Sequence, residues 1–167
     1  VPIVHHKGRI WTAVEHGCWK QGYHDTGVLS IAEDANLCEP NNWTLSPFVS
    51  YDPEWPGVIR GGNPSVLEGN VVVTPEGGLV NILRYQTIGG DPEYGKAIVM
   101  SIDDEHPDAP QTFKACIDFP GNLSKFTIRR DEQTGTYLAL VNRAHKPWYK
   151  QRNILSLSTS KDLINWE

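Results

Sequence analysis

The sequence predicts an all-β fold built from repeated four-stranded antiparallel units. Three observations lead there. Short runs rich in Val, Ile, Leu and Thr recur along the 167-residue chain, divided by Gly, Pro, Asn and Asp, and no long helical period interrupts them. The chain holds 15 Gly and 12 Pro, the turn formers that many short strands require. Landmarks also recur at near-constant offsets. Gly8, Gly78 and Gly135 each precede a second strand, Asp34, Asp104 and Asp162 each follow a third, and Trp43, Phe113 and Trp166 each fall in a fourth. The first-to-second offset is 70 residues at all three landmarks, and the second-to-third offsets are 57, 58 and 53. A repeat of this length marks an array of supersecondary units, with the variable length placed in loops.

In the first unit, residues 1–6 and 9–14 form a hairpin around Lys7-Gly8, residues 27–32 add a third strand and residues 42–46 a short fourth. A loop rich in Pro, Trp and Gly covers residues 50–64. The second unit opens with the β-branched run Val71-Val72-Val73, turns at Pro75-Glu76-Gly77-Gly78 and returns through residues 79–83. Glu68 stands just before the first of these strands and Arg84 just after the second, so the hairpin brings them to one end. Residues 96–102 and 112–117 complete the unit. In the third, residues 124–129 and 136–141 flank Asp131-Glu132-Gln133-Thr134-Gly135, residues 153–158 form the third strand, and residues 160–166 close the chain.

Four-stranded units with an aromatic outer strand are blades of a β-propeller. A β-sandwich is the alternative, but it needs no repeat. The blades span about residues 1–49, 64–119 and 122–167 of a single partial domain. Propellers have roughly four to eight blades, and three would leave raw edges and bare apolar faces. The expectation is therefore an incomplete ring, about half of a six-bladed propeller, with further blades from a second copy, another chain or a removed segment.

Net charge is −5 with a pI near 5.7, which argues against a nucleic-acid partner. No apolar run is long enough for a membrane span. The chain opens strand-like at Val1 without Met, no signal peptide is visible in it, and it stops inside another strand pattern at Glu167. The expectation is that both ends are cuts within a larger fold or those of a mature product after processing, secreted or periplasmic. Cys18, Cys38 and Cys116 have no metal-ligand spacing, so neither metal nor cofactor is expected. Three buried thiols is the favoured reading, with one disulfide plus a free thiol as the alternative. Asn42-Trp43-Thr44 and Asn122-Leu123-Ser124 fit a glycosylation acceptor, relevant only in a secreting eukaryote.

In a propeller, first strands line a central channel, and the starts of first strands and ends of second strands share one mouth. This groups Glu15, His16, Glu68, Asn70, Arg84, Tyr85, Lys125, Asn142, Arg143 and His145, with Arg152 and Asn153 joining through a loop. Glu68 is the candidate acid, base or nucleophile partner. The guanidinium groups suit a carboxylate through paired, charge-assisted bonds. Each has a plainer reading: an ion pair for Arg84, packing for Tyr85, surface solvation for His16 and His145. Adjacent His5 and His6 point to opposite faces of a strand and do not make a metal pair. Asp104 and Asp162 read as turn formers. Trp19, Trp55, Trp148 and Tyr149 are either sugar-stacking or packing aromatics, packing being favoured for at least two.

These residues resemble a family. Ser160-Lys161-Asp162-Leu163-Ile164-Asn165-Trp166 is similar to the Asp-box turn of sialidases, with Ile164 where Gly is usual. Ile102 and Ala32 hold the Ser position in the other two copies. Leu67-Glu68-Gly69-Asn70, Ser124-Lys125-Phe126-Thr127-Ile128-Arg129-Arg130-Asp131 and Arg152-Asn153-Ile154-Leu155-Ser156-Leu157 resemble segments of bacterial sialidase-like propellers, many of unassigned substrate. Glu68-Gly69 also resembles the general-acid site of five-bladed glycosidases, with Asn70 where Pro usually follows. The resemblance implies a six-bladed fold and exo-glycosidase chemistry, with Arg84, Arg143 and Arg152 on a substrate carboxylate and Glu68 with Tyr85 as the nucleophile pair. The sialidase Arg-Ile-Pro motif and acid Asp have no counterpart placed in the chain. A broader glycosidase needs two carboxylates across the scissile bond, of which Glu68 is the one placed. The expected function is hydrolysis of an anionic or hydroxyl-rich glycan, with Glu68 and Tyr85 catalytic and Arg84, Asn70, Lys125, Arg143, Arg152 and His16 binding substrate. The alternative is a non-catalytic glycan- or protein-binding propeller fragment.

Overall fold

The computed structural model describes residues 2–18, 23–121, 124–143 and 152–167. They form three antiparallel sheets, and among them there is no α-helix, only a 3₁₀ turn at Pro40–Asn42. Sheet 1 runs β1 (Ile3–His6), β2 (Arg9–Cys18), β3 (Tyr23–Ala32) and β4 (Trp43–Leu45), and β5 (Val49–Ser50) also pairs with β3. Sheet 2 runs β6 (Ser65–Val73), β7 (Leu79–Gln86), β8 (Lys96–Ile102) and β9 (Thr112–Asp118). Sheet 3 runs β10 (Thr127–Arg130), β11 (Tyr137–Asn142) and β12 (Leu155–Ser160). Beyond β12, Thr159 and Glu167 exchange both backbone hydrogen bonds at 2.9 Å, so Glu167 occupies the place of a fourth strand.

Alternation of side chains along each strand decides how the sheets stack. One face of sheet 2 carries Val71 and Leu79 against Trp11, Ala13 and Val28 of sheet 1. The other carries Val72, Val80, Ile82 and Val99 against Ile128, Tyr137, Ala139 and Val141 of sheet 3. Sheet 2 is therefore covered on both sides, and every residue of β7 is buried. The face of each sheet that looks toward the next one we call its forward face.

The pairing register exposes the repeat. Arg9↔Ala32 of sheet 1 corresponds to Leu79↔Ile102 of sheet 2, while the forward faces hold Trp11↔Ser30, Ala13↔Val28 and Glu15↔Thr26 in sheet 1 and Val80↔Ser101, Ile82↔Val99 and Arg84↔Ala97 in sheet 2. In sheet 3 the places equivalent to those of sheet 2 hold Leu138↔Thr159, Leu140↔Leu157 and Asn142↔Leu155. Sheets 1 and 2 cover the apolar members of these positions with the next sheet. In sheet 3 they lie bare: Leu140, Leu155 and Leu157 are 45%, 71% and 60% exposed.

Several expectations are adjusted. β6 begins at Ser65, so Glu68 lies inside the strand rather than before it. Leu67 pairs with Arg84 and Gly69 with Leu83, which leaves Glu68 as the extra residue of a β-bulge. Gly69 is required there, because a Cβ would sit 2.1 Å from Asn81 Oδ1. Asp162 does close its turn, accepting from the amides of Ile164 (2.9 Å) and Asn165 (2.8 Å). In sheet 2, however, Asp103 does this for Glu105 and His106, while Asp104 reaches across to His6 and Lys7 of sheet 1. The thiols of Cys38 and Cys116 are free, and Cys38 is exposed rather than buried, since it sits on the polar turn after β3. The side chain of Cys18 lies outside the described residues.

Candidate functional site

The bulge on β6 positions the central feature. Two residues of the bulged strand face one of its partner, which re-aims the extra side chain. Glu68 thereby meets Arg84 on the neighbouring strand: Arg84 Nη1 donates to Glu68 Oε2 at 3.0 Å and to Oε1 at 3.3 Å. The pair is shielded, with 9% of the Arg84 side chain and 16% of the Glu68 side chain exposed. A paired carboxylate at this depth is held in one orientation, because both of its oxygens are engaged.

On the other flank of the bulge, Glu15 arrives from the end of β2. Its Oε2 accepts the backbone N–H of Glu68 at 2.8 Å. Buried His24 stands beside it, with Nδ1 4.0 Å from Glu15 Oε1. Two carboxylates of different sheets thus converge on one backbone segment. Glu15 follows a strand pattern in the sequence, and its place near the end of a second strand was the signal that grouped it with Glu68.

The other expected site residues distribute unevenly. Tyr85 adjoins Arg84 in sequence, but successive strand residues point to opposite faces. Its ring is fully buried among Ile59, Val66, Leu83 and Met100. Its hydroxyl accepts the Ile59 amide at 3.0 Å and lies 3.0 Å from Tyr51 Oη. Burial pushes the phenol well above its ordinary pKa, the Tyr51 hydrogen bond adding to the shift and the Ile59 amide opposing it. The structure does not bring Tyr85 to Glu68. Asn70 is buried too, and its amide is spent on β10: Nδ2 donates to Phe126 O at 3.3 Å, and Oδ1 accepts from the Ile128 amide at 3.2 Å. It joins sheets 2 and 3. His16 stands on the back face of sheet 1, 5.4 Å from the Phe48 ring, away from the bulge.

Lys125, Arg143 and Arg152 are all exposed. They flank the start of β10, the end of β11 and the start of β12, which the antiparallel order of sheet 3 places at one end. Asn142, the sheet 3 counterpart of Arg84, accepts from Ser124 Oγ at 2.7 Å. Trp55 stacks on Phe113 at 4.9 Å and is a packing aromatic. His5 pairs with Glu33 and His6 with Asp104, on separate partners. Trp19, His145, Trp148 and Tyr149 lie outside the described residues. Among the described residues no group of three or more His, Cys, Asp or Glu is arranged to hold a metal ion. No helix among them is long and apolar enough to cross a membrane.

No protein-family model matches the chain. No curated protein matches it. Among solved structures, it is similar to a protein of unknown function from Dyadobacter fermentans DSM 18053, with a TM-score of 0.57 and 20% sequence identity. That match covers 94% of this chain and 35% of the other. The chain therefore spans about a third of the length of the structure it matches, and at this identity the likeness concerns fold alone.

Proposed function

We propose that the chain is part of a sialidase-like β-propeller that hydrolyses glycosides, its three sheets being successive blades. The reading of the ring is supported by the pairing positions shared by sheets 2 and 3 and by the bare leucines at the forward face of sheet 3. A fourth blade laid on sheet 3 as sheet 3 lies on sheet 2 covers Leu140, Leu155 and Leu157, removing apolar surface from water.

The observation that carries the enzymatic reading is the bulged Glu68, oriented by Arg84 at the end where the second strands finish. Lys125, Arg143 and Arg152 add cations at the corresponding end of sheet 3, suited to an anionic glycan. The experiment is turnover of a panel of aryl glycosides, neutral and uronic-acid-bearing, by the full chain and by Glu68→Gln. The expected result is release of the aryl alcohol on at least one substrate, lost in the variant. Equal turnover by both proteins overturns the reading.

A second reading, a glycan-binding blade set without turnover, draws on the engagement of Asn70 and Tyr85 in packing. Glycan binding by the full chain with no hydrolysis selects it.

A further inference from the structure

We infer that the cavity between the first strands of the three sheets is a binding site for a small organic carboxylate, anchored by Arg129. The site is separate from the Glu68–Arg84 pair and does not depend on the hydrolase reading. β1, β6 and β10 each lie at the edge of their sheet. Ile3–His6 of β1, residues 71–73 of β6 and residues 128–130 of β10 line a cavity of about 500 Å³. Small-molecule pockets measure roughly 300–1,000 Å³, so the space admits a compact organic ligand. Glu68 precedes Val72 by four residues on β6, about 10–13 Å along the strand. The cavity thus sits toward the other end of the first strands, where their hairpins turn.

Arg129 closes one side of this cavity. It reaches from β10 to β1, bypassing sheet 2, and its Nη1 donates to the Ile3 carbonyl at 3.0 Å. That acceptor is neutral, so the bond fixes the guanidinium without cancelling its charge. The neighbouring charges are engaged with one another: Arg130 pairs with Glu132 at 3.3 Å, His5 with Glu33 at 2.8 Å and His6 with Asp104 at 2.6 Å. Among the described residues no ion pair engages Arg129. The cavity therefore holds an oriented positive charge with no acid of its own.

Charge and surface together define the ligand. A guanidinium presents its N–H donors in one plane, and those left after the Ile3 bond suit the paired, charge-assisted bonds that a carboxylate accepts. Beside them the wall is apolar: Ile3 is 51% exposed, and Val4 and Val73 are half-buried. A carboxylate on an aryl or short alkyl body meets both features. An inorganic anion meets the charge and leaves the apolar wall in water.

Benzoate is the probe, with benzamide as its uncharged counterpart and sulfate as an anion without an apolar body. Each is titrated into the full chain at about 0.1 M ionic strength, which screens dispersed surface charge. Calorimetry reads affinity, and amide chemical shifts of the isotope-labelled protein read location. The expected result is saturable benzoate binding, with the largest shifts in residues 3–6, 71–73 and 128–130. Benzamide and sulfate should bind at least about 10-fold more weakly, and Arg129→Gln should weaken benzoate about 10–100-fold. Circular dichroism confirms that the variant is folded. If it is not, Ile3→Glu serves, since it sets a like charge on the exposed wall and should weaken benzoate similarly. Lys114→Gln, an exposed cation on β9, should leave binding unchanged. Absence of saturable benzoate binding, equal binding of benzamide or sulfate, or shifts centred on Glu68 and Arg84 overturns the assignment. So does benzoate binding that survives the Arg129 or Ile3 substitution undiminished.

Discussion

Asp104 Oδ2 lies 2.6 Å from His6 Nε2 across the seam between sheets 1 and 2, and Asp104 Oδ1 accepts Lys7 Nζ at 2.9 Å. Both members of the His6–Asp104 pair have 11% of the side chain exposed. One carboxylate, from the turn after β8, thus fastens the first hairpin of sheet 1 to sheet 2.

Burial alone would raise the Asp104 pKa, but the hydrogen bonds from Lys7 and His6 outweigh it and hold the carboxyl below its ordinary value. A carboxyl depressed in the folded state stabilises the fold above its unfolded value of about 4, and that contribution is lost as pH falls through the folded value. Asp104→Asn is expected to cost about 1–3 kcal/mol at pH 7. The gap to the unaltered chain should narrow as the pH is lowered toward 3. Urea denaturation across that range checks both the cost and its sign.

Asn70→Ala should destabilise the chain by about 2–4 kcal/mol, since it strands the Phe126 carbonyl and the Ile128 amide in a buried seam. Asn70→Asp should also destabilise, because the donor to Phe126 is lost and a charge is buried. Chemical denaturation measures this. A raised KM at unchanged stability would instead identify Asn70 as a substrate contact.

Gly69→Ala is expected to cost about 1–3 kcal/mol, because the new methyl collides with the Asn81 amide. That amide is not free to withdraw: its Nδ2 donates to Gln111 Oε1 at 2.9 Å and Thr26 Oγ1 at 3.2 Å. The same substitution in an Asn81→Ala background should cost less, a coupling that a double-mutant cycle of unfolding free energies reads directly.

Tyr85→Phe leaves the Ile59 amide without its phenolic acceptor and should cost about 1–2 kcal/mol. With the phenol pushed upward by burial, Tyr85 should stay protonated through the range where exposed tyrosines ionise. The 295 nm absorbance of the unaltered chain and of Tyr85→Phe should therefore rise equally on titration to pH 11. Extra ionisation in the unaltered chain would place Tyr85 in contact with solvent.

Strand positions were legible where β-branched runs made period-two patterns, as in β2, β7, β8 and β11. The first half of β6 was not, because Glu68, Gly69 and Asn70 carry weak strand preference. Their strand is held by the ladder to β7 and by Asn70 reaching a carbonyl 56 residues away. The joining of Glu68 and Arg84 followed from hairpin geometry alone. The separation of Tyr85 from Arg84 was also written in the sequence, since neighbours on a strand alternate. What lay beyond reading was the partner each polar group finds in another sheet: Asn70 in β10, Asp104 in the first hairpin, Glu15 at the bulge. Such contacts depend on how sheets stack, which local pattern does not encode.

The equivalent positions of Arg84 and Asn142 have an evolutionary consequence. Both stand in a second strand on the forward face, in the same register relative to Leu79 and Tyr137 at the strand starts, and each belongs to the ladder through its backbone, whatever its side chain. A cation and an amide occupy one position of a recurring sheet pattern with no change of register. Substitution there alters the chemistry a sheet presents while its scaffold stays intact. Descendants of such a pattern can therefore diverge in what they recognise long before they diverge in shape.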